Sequence, residues 1–83
     1  MIQMEEQLMC PITIELMREP VITAQGITFE RAALIEWLVR SHGVCPVTRE
    51  HVDILHVRPN RVVKDLTDKL LAQKRAEQQN QGN

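Results

Sequence analysis

Prolines decide what the first half of this chain can become. The segment from Met9 to Pro20, MCPITIELMREP, is apolar enough to sit inside a domain, but Pro11 interrupts it and Pro20 closes it. Proline fixes φ and removes an amide donor, so neither a long helix nor a central strand fits. The segment reads as an ordered loop whose apolar side chains are partly turned inward and partly presented. A second proline-containing loop, Val44 to Arg49 (VCPVTR), follows later. At 83 residues the chain is one small domain with a modest core. Folds near this size often lean on a disulfide, a metal or a partner, so the means of holding the loops is the first question.

The two cysteines, Cys10 and Cys45, fall one in each loop. Met1 to Leu8 reads MIQMEEQL, which lacks the basic cluster and apolar run of a secretory signal. No stretch reaches the ~18 apolar residues of a membrane span. The expectation is an intracellular setting with reduced thiols. Spacing alone leaves a Cys10–Cys45 disulfide open, because it says nothing about the distance between them. Ten basic and eleven acidic side chains give a net charge of −1, and the only aromatics are Phe29 and Trp37. With no basic stripe interleaved with aromatics, nucleic acid is excluded as the expected partner.

Between and after the loops the chain is regular. Val21-Ile22-Thr23 and Ile27-Thr28-Phe29, separated by Gln25-Gly26, predict a small hairpin. A helix is expected from about Glu30 to Arg40, with Ala33, Leu34, Trp37 and Leu38 on its apolar face, Glu30 suiting its dipole, and Gly43 as its stop. Ile54 to Val57 reads as a short third strand. Asn60, after Pro59, is a good N-cap for a last helix whose apolar repeat is Val63, Leu66 and Leu70, flanked by Val62 and Leu71. The domain is expected over residues 8–75. Residues 1–7 are a lead-in, either frayed or a helical turn, and the polar residues 76–83 are expected as a disordered tail. No internal repeat is visible.

If the two loops flank the helix in space as they do in sequence, Ile12, Ile14, Trp37, Pro46 and Val47 line one shallow apolar groove, the mark of a protein-binding surface. Taken singly, each has a plainer reading: Trp37 on an apolar helix face, like Ile12 and Ile14, is ordinary core, and Pro46 says only loop. The ordered set is more specific. Cys10-Pro11-Ile12, Glu15-Leu16-Met17, Pro20 to Thr23, Gly26 to Arg31, Ile35 to Leu38, Cys45 to Arg49 and Pro59-Asn60 together resemble the U-box family from about Leu8 to Leu71.

That resemblance implies a small α+β fold. It has the RING finger's outline, with two ordered loops, a short hairpin or three-stranded sheet, a central helix and a C-terminal helix. It also implies no zinc and no other cofactor. Where a RING reads C-P-x-C, this chain reads Cys10-Pro11-Ile12-Thr13 and Cys45-Pro46-Val47-Thr48, so each cysteine lacks the local partner of a structural zinc site. By the same analogy the two cysteines belong to different sites, which argues against a disulfide. His42 and Cys45 have H-x-x-C spacing, without further ligands to complete a set. Polar side chains are expected to hold the loops instead, with Thr13, Glu15, Arg18, Glu19, Thr48 and Arg49 as the candidates.

As to function, the resemblance implies a ubiquitin ligase domain that recruits a ubiquitin-conjugating enzyme on the groove of Ile12, Ile14, Trp37, Pro46 and Val47. Arg49 matches the family's basic residue that contacts both that enzyme and the donor ubiquitin. No covalent intermediate is implied, and neither cysteine has an obvious activating neighbour. The implied partners are the conjugating enzyme, ubiquitin and a substrate protein of unknown identity, with no membrane, in a eukaryotic cytoplasm or nucleus. Some U-boxes dimerise, and Ile2, Met4, Leu8 and the last helix are the surfaces open to a homodimer. The alternative reading is a non-catalytic U-box-like interaction module.

Overall fold

A computed structural model describes the backbone of residues 4–81 and the side chains of residues 5–76. A short helix, α1 (Met4–Gln7), precedes the first loop. A hairpin follows, β1 (Pro20–Ile22) and β2 (Thr28–Glu30), and then α2 (Arg31–Ser41), the second loop, a 3-10 turn (Ile54–His56), β3 (Arg58–Pro59) and α3 (Arg61–Gln81). The three strands form one antiparallel sheet in the order β2-β1-β3. The α+β expectation holds.

The hairpin closes through a three-residue loop, 24–26. The Thr23 amide donates to the Ile27 carbonyl at 3.0 Å, and Gly26 takes a left-handed φ of 84°. Three-residue hairpin loops call for a residue in that conformation, and glycine adopts it without strain. The turn places Gln25 at its tip.

Helix α2 starts one residue later than expected. Glu30 is its N-cap but makes no side-chain capping bond; its carboxylate is engaged elsewhere. At the other end His42 and Gly43 both turn left-handed, and the Gly43 amide donates to the Leu38 carbonyl at 2.8 Å. Gly43 is needed on a second count: a Cβ there would lie 2.7 Å from the His51 ring. Leu34 and Leu38 are buried as the pattern requires, whereas Trp37 is 40% exposed.

The expected third strand is displaced. The Asp53 carboxylate accepts the Leu55 amide at 2.9 Å, a local bond that competes with strand pairing. Ile54 to His56 therefore wind into a turn, and the strand proper is Arg58–Pro59. Proline is tolerated in this short strand at the sheet's edge. Asn60 serves two ends at once. Its Oδ1 accepts the Val63 amide at 3.2 Å, capping α3, and its Nδ2 donates to Thr28 Oγ1 at 3.0 Å, tying that cap to β2.

In α3 the inward stripe is Val63, Thr67, Leu70 and Leu71, with Leu66 37% exposed. The helix backbone runs on to Gln81, into the segment read from sequence as a tail. Residues 82–83 and Ile2 lie outside the described residues. Lys74 of α3 pairs with Glu5 of α1 at 3.0 Å, and Leu8, just after α1, is buried. Part of the surface named for a homodimer is thus used within one chain.

Thr67 is fully buried, and its hydroxyl has no hydrogen-bond partner among the described residues. A buried polar group left unmatched costs free energy. Thr67→Val keeps the shape and removes the hydroxyl, so thermal or urea unfolding should show a gain of about 1 kcal/mol. A loss would mean that the hydroxyl has a partner in solution.

The core gathers Cys10, Met17, Val21, Phe29, Leu34, Leu38, Cys45 and Val52. Both loops, the hairpin and α2 contribute to it, so the loops are held from beneath by one shared cluster.

Candidate docking site formed by two matching loops

The two proline loops are copies of one another. In the first, the Cys10 amide donates to the Glu15 carbonyl at 2.9 Å, and the Ile14 amide to the Cys10 carbonyl at 2.8 Å. In the second, Cys45 donates to Glu50 at 2.8 Å and Arg49 to Cys45 at 2.9 Å. The Thr13 and Thr48 hydroxyls accept the Glu15 and Glu50 amides at 3.2 Å each. Both loops are closed by an isolated bridge, Met9 with Leu16 and Val44 with His51. Ile14 and Arg49, at the matching position, both have left-handed backbones, φ 56° and 64°. The signal was present in the sequence as Cys-Pro-x-Thr-x-Glu at 10–15 and again at 45–50, and it is the internal repeat that the sequence reading missed.

Each loop grips one end of α2. At the start of the helix, the Glu30 carboxylate accepts the backbone amides of Arg18 and Glu19, the latter at 2.9 Å. The Glu30 amide donates to Cys10 Sγ at 3.3 Å, and the Arg31 amide to the Glu19 carbonyl at 3.0 Å. At the far end, Trp37 Nε1 donates to the Val44 carbonyl at 2.9 Å, and Ser41 Oγ both donates to that carbonyl and accepts the Val44 amide. Thr48 Oγ1 donates to Gln25 Oε1 at 3.0 Å, and Gln25 Nε2 donates to the Glu50 carboxylate.

The polar candidates divide: Thr13 and Thr48 bond through their hydroxyls as expected, and among the described residues the others do not act through their side chains. Arg18 and Glu19 contribute amides, not side chains, and the residues that receive and bridge are Glu30, Gln25 and Glu50. Among the described residues no ion pair involves Glu15, Arg18, Glu19 or Arg49. The reason is reach: one carboxylate placed at the helix start can satisfy two neighbouring amides of a loop that has no ladder of its own.

Both thiols are free and fully buried. Cys10 Sγ accepts the amides of Ile12 and Glu30. Burial pushes the Cys45 thiol up, but the Thr48 side chain and the amides of Thr48, Val47 and Arg49 pull it further down, leaving it below the ordinary thiol value. Thr48 has a single hydroxyl proton, which is directed at Gln25, so the amides are the steadier part of that pull. Among the described residues no group of three His, Cys, Asp or Glu side chains is placed to hold a metal ion.

Of the expected site residues, Ile14 is 66% exposed, Val47 53% and Trp37 40%, while Ile12 and Pro46 are half-buried and Ile12 packs against the core. Arg49 is exposed, and its guanidinium has no ion-pair partner among the described residues. Trp37 is brought to the second loop by its bond to Val44. No described hydrogen bond joins Ile12 or Ile14 directly to Pro46 or Val47; the two walls meet through the core beneath them. A cavity of about 480 Å³ lies on another face, lined in part by Val21, Leu34, Ile35 and Val57, and contains none of the expected residues.

A helix gripped at both ends by matching loops, with apolar and basic side chains left outside, defines a small α+β domain braced by hydrogen bonds. A family model described as the U-box domain matches residues 5–76, and the chain belongs to that family. It is 37% identical over 65 residues to the E3 ubiquitin-protein ligase SPL11 of Oryza sativa subsp. japonica, a match covering 78% of this chain and 9% of that protein. It is 43% identical over 61 residues to U-box domain-containing protein 6 of Arabidopsis thaliana, covering 74% and 8%. It is 40% identical over 63 residues to the Arabidopsis E3 ubiquitin-protein ligase CHIP, covering 76% and 23%. The chain therefore spans only a small part of each of these relatives.

Proposed function

We propose that this domain binds a ubiquitin-conjugating enzyme across the two loops and α2 and stimulates ubiquitin transfer to a substrate lysine. The observation that carries the reading is the pair of matching loops, which hold Ile14, Trp37, Val47 and Arg49 outside the core around one helix. Membership of the U-box family, and relatives named as E3 ubiquitin-protein ligases, support it.

The chemistry belongs to the bound enzyme. Its thioester-linked ubiquitin is attacked at the carbonyl carbon by the lysine amine. The C–S bond breaks as the isopeptide bond forms, the thiolate leaves, and the amine gives up a proton. With both of its own thiols buried, the domain acts by orientation and population shift. Ile12, Ile14, Trp37, Pro46 and Val47 supply the apolar contacts. Arg49 donates to the enzyme and to ubiquitin together, favouring the reactive arrangement. The proposed site of action is the cytoplasm or nucleus of a eukaryotic cell, where these partners occur.

The test is ubiquitin-chain assembly over a panel of conjugating enzymes, with chelator present. Chains should form with wild type. Ile12→Ala and Pro46→Ala should each weaken enzyme binding by roughly tenfold, the scale of losing ~1–2 kcal/mol at an interface anchor, with the fold retained in both and the melting temperature lowered in Ile12→Ala, whose side chain also packs on the core. Unchanged binding in both variants would move the docking surface elsewhere. Binding without chain formation by any enzyme would favour the non-catalytic module.

A further inference from the structure

We infer that Gln25 is a positioning residue for Arg49; this rests on the ligase reading above. Gln25 stands at the tip of the three-residue hairpin loop, within hydrogen-bond reach of the second loop. Its amide group is used in both senses. Oε1 accepts from the Thr48 hydroxyl, and Nε2 donates to the Glu50 carboxylate. These are the residues immediately before and after Arg49, so the brace spans the position whose φ is 64°.

A left-handed backbone is unfavourable for a residue with a Cβ and persists where its surroundings impose it. Ile14 in the first loop is left-handed too, with the same backbone bonds around it, so the loop backbone sets this conformation and the brace acts on top of it. The first loop provides an internal comparison. Thr13 and Glu15 match Thr48 and Glu50, yet among the described residues no side chain bridges them; Thr13 bonds only the Glu15 amide. The brace is thus confined to the loop that carries the arginine. By tying the side chains on both sides, Gln25 limits movement of the segment between them and narrows the directions in which the guanidinium leaves the loop. Its contribution should appear in the rate of the step that needs Arg49 aimed, and less in the affinity for the enzyme.

The experiment is a swap. Gln25→Glu sets two carboxylates against each other and removes the donor to Glu50. Adding Glu50→Gln restores one donor and one acceptor between the same positions and leaves an oxygen for Thr48. Discharge of ubiquitin-loaded conjugating enzyme onto free lysine is measured at saturating domain. Affinity for the unloaded enzyme and the melting temperature are measured alongside.

Gln25→Glu should slow discharge by roughly three- to tenfold, the scale of losing hydrogen bonds at an exposed site. Affinity should fall far less, and the double swap should recover most of the rate. In an Arg49→Ala background Gln25→Glu should add nothing, as expected when one residue works through the other. An equal slowing in that background, parallel losses of rate and affinity, or a swap that fails to rescue would each overturn the assignment. If Gln25→Glu does not fold, Gln25→Ala is put through the same cycle. An Arg49→Ala variant that discharges ubiquitin normally would instead remove the reading on which the assignment rests, a failure recognisable before any Gln25 variant is compared.

Discussion

Arg49→Ala should leave the domain folded and able to bind the conjugating enzyme, while ubiquitin discharge falls by roughly ten- to a hundredfold. Two observations set the direction. The Arg49 backbone is left-handed, and alanine carries the same Cβ penalty there as arginine, so the loop loses nothing by the exchange. The guanidinium has no ion-pair partner among the described residues, so its removal breaks no internal pair. What remains to be lost lies in the complex: charge-assisted hydrogen bonds, each worth about 1.5–3 kcal/mol. Arg49→Lys should fall between, since an ammonium keeps the charge and lacks the planar fork that can serve two acceptors at once. Single-turnover discharge and calorimetric binding, run on the same preparations, decide it. A proportional drop in both would make Arg49 an ordinary binding contact.

Phe29→Ala should have the largest effect on stability. Phe29 is fully buried in β2, at the centre of a cluster fed by both loops. Deleting a buried phenylalanine costs about 3–5 kcal/mol, a large share of what a domain this small has to give. The variant should be largely unfolded at 37 °C by circular dichroism, and enzyme binding should vanish with the fold. Phe29→Leu, which refills much of the space, should keep the fold with a lowered melting temperature. A stable, fully active Phe29→Ala would show that the loops hold their shape without the shared core.

Much of the architecture could be read directly from the residues. The prolines placed both loops, the β-branched runs around Gln25-Gly26 placed the hairpin, and Asn60 announced α3. The misreadings have local causes. Ile54 to Val57 has a strand's composition, but the neighbouring Asp53 carboxylate captured the Leu55 amide and wound the segment into a turn. In α3 the periodicity fitted Leu66 nearly as well as Thr67, and burial chose the threonine. Glu30 was legible as an acid at a helix start, yet its carboxylate turns back to loop amides eleven and twelve residues away, a contact that no spacing rule encodes. Gln25 looked like a turn residue and nothing more, because side-chain amides advertise no partner. The apolar and basic candidates were legible because the family motif carries them in order; the braces that aim them were not.

The complete burial of both sulfurs has a practical side. A thiol can be reactive by its electronic character and still be out of reach, and Cys45, drawn toward thiolate by the amides around it, sits in that position. Alkylating agents should therefore leave both cysteines unmodified for as long as the domain stays folded. The rate of their alkylation then reports how often the two loops open, with no label attached to the protein.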